Sequence, residues 1–116
     1  LGLVTRELTA GVRERYKLPE DVSGIFVTFV SSSSEAYEKF LRPGDIIQQL
    51  TSGTMKIIPT KPEDLQKFME TLKKEDKKKV LLLVNSQGNL RYVALSLEEK
   101  AEDNGNDSPL SNGDSN

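Results

Sequence analysis

The stretch that most constrains the fold is residues 62–74, PEDLQKFMETLKK. Leu65, Phe68, Met69 and Leu72 recur at i, i+3, i+4 and i+7, which gives a helix one apolar face, and Pro62 stands in its first turn. Thr60 and Glu63 have capping-box spacing, and the lysines at the far end suit the helix dipole. The pattern predicts a helix over 62–74. Such a helix needs a second apolar surface to cover its stripe, and the rest of the chain supplies that surface as strands.

SGIFVTFV at 23–30 alternates Ile25, Val27 and Phe29 against Phe26, Thr28 and Val30. Being β-branched or aromatic nearly throughout, it predicts a strand buried on both faces. KVLLLV (79–84), a four-residue turn NSQG and LRYVALSL (90–97) predict a hairpin that turns Val93, Leu95 and Leu97 inward. Shorter strands are expected at 3–8, at 46–50 after the Pro43-Gly44 turn, and around 55–58. One short helix is read after Thr9, with Val12 and Tyr16 on one side. Another follows Ser34 and buries Ala36 and Phe40, with Tyr37 a further candidate. Five or six strands with two or three helices make an α+β domain, a partly opened sheet capped by the long helix.

Charge separates the chain into two parts. Residues 98–116, EEKAEDNGNDSPLSNGDSN, hold six acids, one base and one leucine. Such a segment buries too little apolar area to offset its ordering entropy and is expected to be a disordered acidic tail. Residues 1–97 then carry fifteen bases and twelve acids, a net +3 that does not argue for nucleic acid. KKEDKKK at 73–79 has no interleaved aromatics and reads as a solvated helix end. No apolar run approaches the roughly 20 residues of a membrane-spanning helix, so no membrane insertion is expected. With no initial Met and a strand-like start, the chain is expected to be a piece of a longer protein.

The sequence contains no histidine and no cysteine. A Ser-His-Asp triad, His- or thiolate-based metal sites and disulfides are thereby excluded for these residues. Asp45 sits at a turn and Glu63 and Asp64 at a helix start, each with an ordinary structural role. The serines at 31–34 have no base, and neither a P-loop nor G-x-G-x-x-G occurs. No catalytic residue, metal site or cofactor is read. Partner binding remains, and LGLVTREL at 1–8 points to it. An edge strand accepts an added peptide strand, and a glycine just ahead of it lets successive N–H groups converge on a carboxylate between leucine walls. A buried first strand with a tolerated glycine is the competing reading.

Taken together, LGL at the first strand, LTAGVRERYKLPEDVSGIFVTFV, LRPGDII, PEDLQKFM and LLLVNSQGNLRYVAL resemble the PDZ domains of bacterial HtrA (Deg, or protease Do) serine endoproteases. The match covers about residues 1–97 and is closest to the second, C-terminal PDZ domain of the α-proteobacterial type. It implies a five- or six-stranded partial barrel or sandwich capped by two helices, circularly permuted so that the carboxylate-binding loop starts the domain. Carried over by position, the amides of Leu1, Gly2 and Leu3 would receive a terminal carboxylate, and Leu1, Leu3 and Met69 would line the last side chain's pocket. Val4 and Arg6 would flank the added strand, while Pro62 and Gln66 would face it from the helix. The resemblance implies a periplasmic, non-enzymatic module of a trypsin-like endopeptidase that binds C-termini or unfolded hydrophobic segments in protein quality control. Its alternative is a structural module with a vestigial groove that assembles the protease subunits.

Overall fold

The computed structural model describes residues 1–97; the tail expected at 98–116 lies outside the described residues. In chain order the elements are β1 (Leu3–Glu7), α1 (Ala10–Tyr16), β2 (Ile25–Val30), α2 (Glu35–Glu38), β3 (Ile46–Ser52), β4 (Met55–Ile57), α3 (Pro62–Lys74), β5 (Lys79–Ser86) and β6 (Asn89–Ser96). The strands form one antiparallel sheet in the order β1-β2-β3-β5-β6, with β4 paired to β3. The result is an open six-stranded α+β sheet with three helices, one more than the two that the resemblance implies.

Two irregularities decide which side chains reach the core. Val4 pairs with Phe29 but Thr5 with Val27, so Thr28 is an extra residue on β2. Likewise Ile47 pairs with Val84 but Gln49 with Leu83, leaving Gln48 over on β3. Each bulge shifts the two-residue period by one, so Val27 and Val30 both point inward, as do Ile47 and Leu50. Phe29 is correspondingly turned outward and is 56% exposed, against the expectation of a strand buried on both faces along its length.

The main core lies between the sheet and α3. Leu65, Phe68 and Leu72 pack with Ile25, Val27, Leu50, Leu82, Val93 and Leu95, and Met69 lies half-buried at the edge. A smaller core occupies the other face, where Val22, Phe26 and Ile46 lie under Leu8, Val12 and Leu18. The Tyr16 and Phe26 rings are 4.9 Å apart there. β2 is thus covered on both faces only over its first half.

Three local features differ from the sequence-based expectation. The capping residue of α3 is Asp64, whose carboxylate accepts the Thr60 and Lys61 N–H groups at 2.9 and 3.1 Å. Pro62 in the first turn leaves Lys61 as the extended N-cap, which moves the capping pair one residue along from Thr60 and Glu63. In the β5–β6 hairpin, Asn85 and Ser86 remain paired with Leu90 and Asn89, so the loop is two residues. Gln87 and Gly88 have φ 54 and 92°, a mirror-image turn that matches strand twist.

The third difference is at α2. Ala36 is buried, but Phe40 is 71% exposed and Tyr37 lies on the surface. Phe40 has φ 71°, and Arg91 from β6 holds the carbonyls of Lys39 and Phe40 at 2.9 and 2.8 Å. These bonds clamp the turn with the Phe40 ring outward. Arg42 stacks 3.7 Å over the Tyr37 ring, which covers one face of it.

Candidate functional site

β1 is an edge strand, and α3 lies alongside it in the opposite direction. Its backbone groups can be assigned from their partners. The Ser31 N–H donates to the Gly2 carbonyl at 2.7 Å, and the Thr28 hydroxyl to the Val4 carbonyl at 3.2 Å. Gly2 and Val4 therefore face β2. By strand alternation Arg6 does too, whereas Leu3 and Thr5 direct their N–H and C=O groups toward the open edge. The opposite neighbour agrees, since Val27, the partner of Thr5, spends its own N–H on the Asp45 carbonyl at 2.8 Å.

Gly2 has φ +80°, and a Cβ built on it would overlap Ser34 Cβ and stand 3.1 Å from Ser34 Oγ. Both observations require glycine. Ser34 in turn donates to the Ser31 carbonyl at 2.7 Å and accepts the Tyr37 N–H at 3.1 Å as the N-cap of α2. The serine run is a backbone-bonded shelf on which Gly2 rests.

The groove between β1 and α3 has a cavity at each end. Leu1, Met69, Lys73 and Leu97 line one of about 150 Å³. Thr5, Arg6, Pro62 and Glu63 are among the residues around the other, about 410 Å³. Of the site residues read from the sequence, Leu1 and Met69 line one cavity, and Arg6 and Pro62 the other. Leu3 is half-buried against the main core. Val4 is 51% exposed on the outer face beside Phe29, and Gln66 is exposed on α3 between the two ends without lining either cavity. Lys73 and Leu97 were not among those residues. Lys73 is legible in retrospect, one helical turn after Met69, whereas Leu97 reads from the sequence as an inward core residue and no local signal brings it to the groove.

The far edge of the sheet, β6, has side-chain partners at its C-terminal end. Glu35 Oε1 accepts the Ser96 N–H at 2.8 Å, Lys39 Nζ donates to the Ala94 carbonyl at 2.6 Å, and the two side chains pair at 3.4 Å. An acid at the start of α2 and a base at its C-cap, one turn apart, thus take two of the backbone groups that a further strand would use. Burial raises the Glu35 carboxyl, but the Ser96 amide and the Lys39 ammonium together outweigh it and hold the group below its ordinary 4.5. The sign follows from linkage: a depressed folded pKa contributes stability above the unfolded value, lost as pH falls through the folded one. Urea unfolding is expected to show a larger stability loss between about pH 6 and about pH 3 in the wild type than in Glu35→Gln. Asp64, likewise lowered by the Thr60 and Lys61 amides, contributes to the loss in both. Equal losses would remove Glu35 from this role.

No protein-family model matches the chain. It is 32% identical over 81 residues, 70% of its length, to a protein of Brucella suis described as "Probable periplasmic serine endoprotease DegP-like". Proteins of the same description from Bartonella henselae, at 32% over 81 residues, and Rickettsia conorii, at 28% over 90 residues, also match. The chain spans about 15% of the length of these relatives. It is therefore distantly homologous to a short segment of the DegP-like serine endoproteases.

Proposed function

We propose that the chain is a PDZ-type interaction module of an HtrA-type serine endoprotease, with the circularly permuted connectivity that puts the carboxylate loop first. It takes polypeptide C-termini or extended apolar segments as an added strand along β1. The observation that carries this reading is the open edge of β1 beside α3, ending in the pocket of Leu1, Met69, Lys73 and Leu97. On the opposite edge, Glu35 and Lys39 bond the Ser96 N–H and the Ala94 carbonyl. In this reading the loop amides of Leu1, Gly2 and Leu3 receive the terminal carboxylate, and the Lys73 ammonium adds a countercharge. Pro62 and Gln66 face the ligand from α3, Val4 and Arg6 flank it, and the pocket selects an apolar last residue. The homology to periplasmic serine endoproteases supports a parent protein of that kind. Its work in envelope protein quality control, and catalytic residues outside this histidine-free segment, belong to the same proposal.

A titration tests the reading. A short peptide with an apolar C-terminus is expected to shift the amide resonances of residues 1–4 and Met69, with the free acid binding roughly tenfold tighter than its C-terminal amide. No shift at millimolar peptide overturns it. That outcome would favour the assembly reading, for which Leu81, Leu90 and Tyr92 on the outer face of β5 and β6 supply exposed apolar surface.

A further inference from the structure

The end of α1, the Pro43-Gly44 turn and the β5–β6 turn enclose a cleft of about 630 Å³ that shares no lining residue with either end of the groove. Its size falls within the roughly 300–1,000 Å³ of small-molecule sites. The floor is apolar: it is lined by half-buried Leu18 and by the edges of Val22 and Ile46, two buried residues of the smaller core that Leu18 packs against. The rim is polar, with Lys17 on one side and Asn85 and Gln87 on the other. Asn85 is fixed in place by accepting the Gly88 N–H at 2.7 Å. Among the described residues, Lys17 is the only charged one that lines the cleft, and it makes no ion pair.

The backbone sets these rim side chains against their own preferences. Lys17 closes α1 as a left-handed C-cap with φ 56°, a position that favours glycine, and Gln87 opens a mirror-image turn at φ 54°, where asparagine or glycine is usual. Four described residues other than glycine have positive φ, and two of them border this one cleft. Left-handed residues with long side chains cost stability, and they cluster where a ligand is held. Glycine at either position would relieve the cost and remove the polar rim.

We propose that this cleft binds a small amphiphile, an apolar chain ending in a carboxylate. The chain lies over Leu18, Val22 and Ile46, and the carboxylate pairs with the Lys17 ammonium. A cationic head would meet no countercharge among the lining residues, so charge as well as shape selects the anion.

Octanoate is a sufficient probe, titrated into residues 1–116 and followed by amide NMR beside octylammonium. Octanoate at millimolar concentration is expected to shift Lys17, Gly44, Ile46 and Gly88. Octylammonium is expected to leave all of them unmoved. Lys17→Gly suits the left-handed conformation, so it should keep or raise the unfolding midpoint while weakening octanoate at least about tenfold. The proposal is overturned if octanoate moves none of the four amides, if octylammonium moves them as far, or if Lys17→Gly binds octanoate like the wild type.

Discussion

Gly24→Ala is expected to destabilise the protein by about 3–5 kcal/mol, comparable to the whole stability of a domain at the low end of the usual range. Gly24 has φ +141°, a region that side chains rarely enter, and it is buried just ahead of β2. A Cβ there would overlap the Ile47 carbonyl oxygen and stand 2.9 Å from the carbonyl carbon and 3.0 Å from Ile46 Cγ2. The obstacle is backbone of the neighbouring strand. It cannot rotate away as a side chain can, so the β2–β3 ladder must separate, and with it Ile25 and Ile47, both fully buried. Gly88→Ala is the control. Gly88 also has positive φ, +92°, but a Cβ there meets nothing within 4 Å, so the cost is the conformational one alone, about 1–2 kcal/mol. Urea denaturation of the two variants separates the effects. If they lose equal stability, close strand approach is not what keeps residue 24 a glycine.

That glycine illustrates what the sequence conveys and what it withholds. Helix α3 is legible at both ends because its signals are local: a proline in the first turn, a four-residue apolar period and terminal lysines. Val93, Leu95 and Leu97 are legible for the same reason, a clean alternation. The bulges at Thr28 and Gln48 leave no such trace. Each is a relation between two strands, so the reading of residues 23–30 as buried on both faces missed that Phe29 turns outward. Phe40 is a similar case. An aromatic residue after a short helix reads as core, yet its turn is set by Arg91, which is 51 residues away. The candidate groove divides in the same way. Leu1 and Met69 could be placed by the resemblance, Lys73 by helical spacing, but Leu97 only by the fold. The glycine at position 2 was legible as special, and its close neighbour Ser34 was not.

The alternation along β1 makes the strand-addition reading separable from fold stability. Leu3 and Thr5 direct their backbone groups to the open edge, while Val4 and Arg6 spend theirs on β2. Thr5→Pro therefore removes an N–H that no neighbouring strand uses and puts a ring where an added strand would lie. Val4 ahead of it is already extended, as a residue before proline must be. The expected result is a small change in unfolding midpoint and about 2 kcal/mol less peptide binding, roughly thirtyfold in Kd. Arg6→Pro is the counterpart. It deletes a ladder bond to Phe26 and should cost about 3 kcal/mol of stability. Circular dichroism melts with peptide titration by calorimetry read both quantities on both variants. A folded Thr5→Pro that binds like the wild type would mean that no ligand adds to β1. A Thr5→Pro that unfolds beside a stable Arg6→Pro would reverse the assignment of outward and inward groups, and the open edge would then offer Val4 and Arg6 instead. Only the expected pairing, binding lost at Thr5 and stability lost at Arg6, is consistent with a strand that is half in the sheet and half free to accept another.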